Sequence, residues 1–519
     1  MANSPASSAA IPNPGSSSRW IIAILLPAAA WRGVIAWNLP TISRDGVTFC
    51  WYARDLGTSG LDYLRSPAAI QHPLYPALIL MFERLAEWVG AAPSPMLWQR
   101  AAQVVAILAG LAVVLLSGAI ARRIALVSRA AGDPGRVGLL AMLIAALLPL
   151  NIELSADAMS DQLHLAFYLL AIRCALAAPA IPAAAACGAF SGLAFLTRPE
   201  GLVAAAAGLL TSALTRQSIA RRAAQVLALL LGAAVIASPY WLLTGKLSAK
   251  KNPLDWFEPA PASASQPPSG FAIAKLERVD LRWFELAPRA LLEIFRGGRV
   301  IVILLAIPLL VLLGRSWLRP PLLMLTACAL GHFSLLIVLL EREGYLAPRH
   351  TLVVVSLLIP SAAAALDWMI ARARRPRSAV WRAAAVACLI PLAVYSLRLP
   401  NHAERWMRTS ADWLKSYDPS IADKRILGGA STKRLAFYAG AAWSEWNEQP
   451  RYYPALCDMI VKQRPAYFAV ETGGGFERVG NRTVLDRLLS DRRFASRMRV
   501  VHTEHDGRGN DLHLLAFDW

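Results

Sequence analysis

Residues 98–121 read WQRAAQVVAILAGLAVVLLSGAIA, and Arg122 and Arg123 follow at once. One charge, Arg100, stands among 24 positions, and no period-2 alternation of polar and apolar residues runs through them. As a helix this stretch rises about 36 Å, enough to cross a hydrocarbon core of about 30 Å. The arginines at its end are of the kind that stay on the cytoplasmic side. The same signature recurs over about 20–39, 137–152, 161–178, 183–197, 201–214, 223–243, 299–314, 320–340, 350–371 and 382–398. The whole chain of 519 residues is 56% hydrophobic, with a mean hydropathy of +0.43. A soluble chain of this size cannot hide that much apolar surface in its own core. The fold class is therefore a polytopic α-helical membrane protein of about eleven spans, followed by a small C-terminal α/β domain.

The net charge of +19 would suggest nucleic-acid binding in a soluble protein. Here the arginines gather in short loops instead, so no nucleic-acid partner is expected. One loop holds Arg122, Arg123, Arg129 and Arg136, another Arg216, Arg221 and Arg222, a third Arg315 and Arg319, and a fourth Arg372, Arg374, Arg375, Arg377 and Arg382. All four fall on one side only if segment 73–90, interrupted by Glu83, Arg84 and Glu87, lies amphipathically at the interface. This parity puts the loops 40–97 and 244–298, the turn from Asn151 to Asp161 and everything after 399 outside. It divides the chain into a disordered N-terminus over 1–18, a membrane domain over 19–398 and an extracytoplasmic α/β domain over 399–519. The first apolar run carries Trp31, Arg32 and Trp37 and reads as an anchor in the inner or plasma membrane, not as a cleaved signal.

Loop 244–298 opens with Lys246, Lys250 and Lys251, passes a Pro/Ser/Ala stretch at 259–269 and offers an amphipathic helix around Leu281 to Phe295. In the tail, strands are expected at 425–427, 467–470, 498–504 and 511–518, with helices at 432–439, 454–463 and 482–494. Asp506-Gly507-Arg508-Gly509-Asn510 suits a hairpin connector. Cys174, Cys187, Cys328 and Cys388 lie in or beside apolar runs and read as small hydrophobes. Nothing in the spacing of Cys50 and Cys457 suggests a bridge.

Polar residues collect at the outward ends of the spans. Asp45, in the loop Arg44 to Leu56 with Tyr52, either caps a helix or meets a ligand. Gln71 and His72 precede two prolines that fix the loop's path. Asp157 and Asp161 are four apart and share a helical face, and a like-charged pair of this kind calls for a cation, proton or hydroxyl partner. Arg198, with Glu200, and Arg349, with His350, are outward arginines against the positive-inside trend, and a guanidinium fork matches a phosphate. Glu200 is also a possible internal partner of Arg198. No phosphate loop or dinucleotide fingerprint occurs.

The order of these motifs resembles the C-type superfamily of membrane glycosyltransferases, in particular the group related to protein O-mannosyltransferases and the lipid A aminoarabinose transferase. The resemblance covers most of the chain to about residue 400. It rests on Asp45 followed by Trp51-Tyr52-Ala53, the run His72-Pro73-Leu74-Tyr75-Pro76, Ser160-Asp161, the stretch from Gly192 to Gly201 through Arg198-Pro199-Glu200, and Arg349-His350. It implies that Asp45 is the catalytic carboxylate, Asp161 the second acid and Asp157 a substitute for it. It also implies lipid-phosphate contacts at His72, Arg198 and Arg349, with Tyr52, Gln71, Glu200 and His350 of the same motifs lining the donor site. Two departures stand out. Gly46 occupies a position where members often carry a second acid, which weakens a paired-carboxylate metal site, and His350 replaces a common tyrosine.

The implied activity is transfer of a hexosyl or pentosyl group from a polyprenyl-phosphate carrier to a glycan, lipid or protein acceptor at the outer membrane face. No cofactor is required, and the motifs leave a divalent metal open. Two rivals are a secondary transporter or lipid flippase and a non-catalytic assembly subunit. Against the transporter, no internal repeat is visible and the ionisable clusters gather at one face instead of the midplane.

Overall fold

The computed structural model describes residues 14–128, 133–177, 180–249, 283–298, 300–313, 320–373, 379–397, 405–446, 452–473 and 480–519. Lys250, Lys251, the stretch 259–269 and Arg129, Arg315, Arg319, Arg374, Arg375 and Arg377 lie outside them. Helix α1 (Pro14–Asn38) begins inside the segment expected to lack structure. It leads through a short turn to α2 (Arg44–Ser59), α3 (Leu74–Trp88) and α4 (Pro95–Ser128). At 15 residues, α3 is shorter than the roughly 20 needed to cross a bilayer, and Arg84 pairs with both Glu83 and Glu87 on its polar face.

Helices α5 (Pro134–Leu147) and α6 (Pro149–Ala156) form one apolar unit bent by 56°. The bend has a local cause: Pro149 drives Leu148 out of the helical region to φ −67°, ψ 114° by its ring clash with the preceding residue. Next come α7 (Asp161–Ala175), α8 (Ile181–Thr197), α9 (Leu202–Ala213) and α10 (Ile219–Thr244). The membrane part ends with α11 (Trp283–Gly297), α12 (Ile301–Leu313), α13 (Pro320–Glu343), α14 (Leu352–Ala373) and α15 (Ala379–Ser396). Each of the eleven expected apolar segments falls on a helix or on the bent pair. Among the described residues, six helices are long and apolar enough to cross a membrane, or seven counting the bent pair as one. The others, including α7, α9 and α12 at 15, 12 and 13 residues, are shorter than a full crossing.

The C-terminal domain starts with α16 (Arg405–Tyr417), which was not expected, and continues with β1 (Arg425–Gly428), α17 (Lys433–Ala439) and β2 (Ala442–Glu445), a strand also not expected. Then follow α18 (Tyr453–Gln463), β3 (Tyr467–Thr472), α19 (Asn481–Ser490), β4 (Met498–His505) and β5 (Asp511–Phe517). The sheet order is β2-β1-β3-β5-β4, with β1 parallel to β2 and β3, and β5 antiparallel to β3 and β4. Gly507 and Gly509 take φ of 73° and 84° in the β4–β5 connector, the left-handed region glycine enters without a Cβ clash. Alternation along β3 sets the two faces of the sheet. Tyr467 and Ala469 join the hydrophobic core continuous with the membrane helices, while Phe468 and Val470 join a separate core with Leu456, Ile460 and Leu485.

Tyr438 fastens the domain to the bundle. Its buried hydroxyl donates to Gln99 Oε1 of α4 at 2.6 Å and accepts from the Ile42 backbone at 2.8 Å, just before α2.

Candidate active site

Asp45 lies in the first turn of α2 but does not cap it. Ser43 is the cap, accepting from Gly46 N at 3.1 Å. Asp45 Oδ2 accepts from Arg349 Nη1 at 2.5 Å, and the two side chains are 24% and 29% exposed, which leaves the pair reachable from outside. Arg349 is held in a 3-10 turn, Pro348–Thr351, ahead of α14. There His350 Nδ1 accepts from the Ala347 backbone at 3.2 Å, so the histidine expected to line the donor site braces the turn that carries Arg349.

The second pair stands on the break between α8 and α9. Pro199 pushes Arg198 to φ −155°, ψ 142°, ending α8, and the chain folds straight back on it. Gly201 permits this, since a Cβ there would stand 2.3 Å from Phe195 N. Arg198 Nη1 donates to Asp161 Oδ1 at 2.5 Å, and its Nε lies 3.6 Å from Glu200. The expected Arg198–Glu200 bridge is present, and Asp161 is the nearer partner. Burial opposes the Arg198 charge, but the Asp161 and Glu200 carboxylates more than offset it and hold the guanidinium above its ordinary range. Arg198 and Arg349 are each within electrostatic reach of both Asp45 and Asp161, and of each other.

Asp157 has a different position from Asp161. It ends α6, and its Oδ1 accepts from the Ser43 backbone at 2.7 Å, which fixes the turn that launches Asp45. Ala158 beside it takes φ 51°, a left-handed conformation costing an alanine on the order of 1–2 kcal/mol. Gly46 packs on this turn: a Cβ there would lie 3.3 Å from both the Asp157 and Ala158 carbonyl oxygens. Any side chain at 46 is thus a tight fit that would need this turn to give by a few tenths of an ångström, which favours glycine where a second acid was looked for. Burial pushes the Asp157 carboxyl up to about 7, with the Ser43 backbone bond working the other way.

His72 is buried on an adjacent aromatic wall, its Nε2 3.1 Å from Ser248 Oγ and its ring 5.1 Å from Phe195 and 5.9 Å from Tyr240. Gln71 is buried next to it. Tyr52, two turns beyond Asp45, packs edge-on to Tyr63 at 4.9 Å. Among the described residues no group of three or more His, Cys, Asp or Glu could hold a metal ion, and all six cysteines are free, Cys50 and Cys457 both buried. The C-terminal domain brings charges that sequence reasoning missed. Lys433 reaches Thr48 Oγ1 at 2.7 Å, and Arg434 lies within electrostatic reach of Asp157. Two cations opening a helix were the only signal, and nothing in the sequence ties them to residue 45.

No protein-family profile matches the chain, and no curated protein matches it. Solved structures do. ArnT from Cupriavidus metallidurans in the apo state superposes with a TM-score of 0.57 at 16% identity, over 96% of this chain and 98% of that chain. The same protein bound to undecaprenyl phosphate gives 0.57 and 16% over 97% and 98%. The archaeal oligosaccharyltransferase AglB from Archaeoglobus fulgidus, in complex with an inhibitory peptide and a dolichol-phosphate, gives 0.52 and 13% over 87% and 69%. The chain thus shares its overall fold with these two proteins.

Proposed function

We propose that the chain transfers a sugar from a polyprenyl-phosphate carrier to an acceptor hydroxyl at the extracytoplasmic face of the membrane, with inversion. The observation that carries this reading is the meeting of two carboxylate–arginine pairs, Asp45–Arg349 and Asp161–Arg198, at one end of the bundle. Likeness in fold to a protein bound to undecaprenyl phosphate and to one in complex with a dolichol-phosphate supports the carrier class.

In this reading the Asp45 carboxylate takes the proton of the acceptor hydroxyl as its oxygen attacks the anomeric carbon. The bond from that carbon to the phosphate oxygen breaks, and its electron pair leaves on the polyprenyl phosphate. Arg349 and Arg198 turn part of their donor forks to the phosphate and offset its growing charge. Arg349 also orients the base. Asp161 and Glu200 keep Arg198 charged and aimed, Asp157 positions Asp45 through Ser43, and His350 positions Arg349. His72, Gln71 and Tyr52 line the donor side. A divalent cation would have to compete with both guanidiniums for Asp45 and Asp161, so no step is routed through one.

The test is polyprenyl phosphate release by the purified protein in detergent from a polyprenyl-phosphate sugar. Asp45→Asn, which keeps the shape of the side chain, is expected to lower turnover by about 10²–10⁴-fold without loss of folding. Undiminished turnover in that variant removes Asp45 from its role.

A further inference from the structure

Helix α17 of the C-terminal domain runs beside α2, and the contact forms a seam that begins one turn from Asp45. Lys433 donates to Thr48 at the near end, and Thr48, three residues after Asp45, shares its helical face. Phe437, one turn further, meets Trp51 edge-on with ring centroids 6.3 Å apart. At the far end lies a hollow of about 180 Å³ lined by Trp51, Arg54, Trp98 and Phe437, among others. Trp443 of β2 adds a second indole 5.9 Å from Trp51, and the Lys433 ammonium stands 5.4 Å and 5.1 Å from the two rings.

Tryptophan at a membrane surface usually belongs to a lipid-facing belt. Trp443 does not fit that role, because it sits on a strand of the C-terminal domain and converges with Trp51 on a cation. Lys433 has no carboxylate at ion-pair distance among the described residues, and its one hydrogen bond goes to a neutral hydroxyl. Burial pulls its pKa below the usual lysine value, with Glu445 and Asp45 acting in the other direction. The two indole faces offset part of that cost. Paired indoles present flat apolar faces of the kind that pack on the C–H face of a sugar ring, and an ammonium with no carboxylate at ion-pair distance among the described residues suits an anionic group.

We propose that this seam is the acceptor subsite and that it selects an anionic carbohydrate, with Lys433 taking the acceptor's carboxylate or phosphate and the Trp51–Trp443 pair carrying its ring. The proposal rests on the transferase reading of the Asp45 site, and it makes the C-terminal domain part of the binding machinery. Lys433 is a specificity residue in this scheme, not a catalytic one.

Binding is read without turnover, by saturation-transfer NMR on the full chain in detergent, with glucuronate as probe and glucose as neutral control. Glucuronate is expected to give the stronger signal on the wild type. Lys433→Gln should bind it about tenfold more weakly, the scale of one charge-assisted hydrogen bond, while Lys433→Arg retains the preference. High salt should erase that preference on the unmodified protein, which keeps the test decisive if the glutamine variant does not fold. Equal response to the two sugars at low salt, or equal glucuronate binding by wild type and Lys433→Gln, overturns the proposal. Loss of polyprenyl phosphate release with the glucuronate preference intact would sink the transferase reading alone.

Discussion

Asp157 and Asp161 are alike in the sequence, where their spacing of four suggests one helical face, but they belong to different helices, at the end of α6 and the start of α7, and the fold gives them opposite tasks. Asp161 meets a guanidinium. Asp157 meets a backbone amide in a buried turn, and its carboxyl is pushed from 3.8 up to about 7. In the unfolded chain it ionises near pH 4; in the folded protein it holds its proton until near 7. The folded state therefore binds more protons across that window, and stability attached to this group is full below pH 4 and lost as pH rises toward 7. Asp157→Asn keeps an acceptor for Ser43 and carries no charge. Its melting temperature is expected to fall less than the wild type's between pH 5 and 8, and its turnover to stay within a few-fold. A loss on the scale of Asp45→Asn would return Asp157 to the chemistry. Arg349 argues the other way. Replacing it by alanine removes both the orienting partner of Asp45 and a donor aimed at the leaving phosphate, and should cost about 10²–10³-fold in turnover. Arg349→Lys should recover only part, because one ammonium cannot reproduce a planar fork. Equal rates in the lysine variant and the wild type would show that charge alone suffices.

At the scale of elements, the packing of α8 on α10 decides where Arg198 stands. The two backbones nearly touch: a Cβ at Gly188 would lie 1.9 Å from Leu229 O, and one at Gly232 would lie 2.2 Å from Ala185 O. Small residues allow this approach between membrane helices. Gly232→Leu must force α8 away, and α8 ends on Arg198. A displacement of about 1 Å at a reacting centre can cost 10²-fold, so this variant should lose turnover on that scale and melt earlier, though residue 232 is remote from the ion pairs. A variant that melts earlier yet turns over normally would uncouple the helix pair from the site. The apolar helices were legible from their runs of hydrophobic residues, and so were the motifs bearing Asp45, Asp161, Arg198 and Arg349. The pairings were not, since Asp45 and Arg349 are 304 residues apart and only helix packing selects one arginine over another. Strand β2 escaped notice because Ala442–Glu445 is short and partly exposed along its length, with no buried alternation to mark it. Lys433 escaped because its place beside α2 depends on the Tyr438 anchor, a contact between distant parts of the chain.

The whole molecule carries its own measure of sidedness. Arg349 stands at the entrance of α14 and Asp367 near its other end, a separation of about 27 Å along a helix, close to the thickness of a hydrocarbon core. Asp367 forms an ion pair with Arg136 at the start of α5, the helix that follows the end of α4 carrying Arg122 and Arg123. One face of the bundle is therefore pinned by an ion pair among basic loops, and the opposite face holds Asp45, Asp161, Arg198 and the C-terminal α/β domain. From the positive-inside rule we predict that the basic face lies in the cytoplasm. A reporter fused after Trp519 should score as extracytoplasmic, and one inserted within 129–132 as cytoplasmic. If both scored the other way round, the carboxylate–arginine pairs would face the cytoplasm. A sugar carrier presented on the outer leaflet could then not reach them.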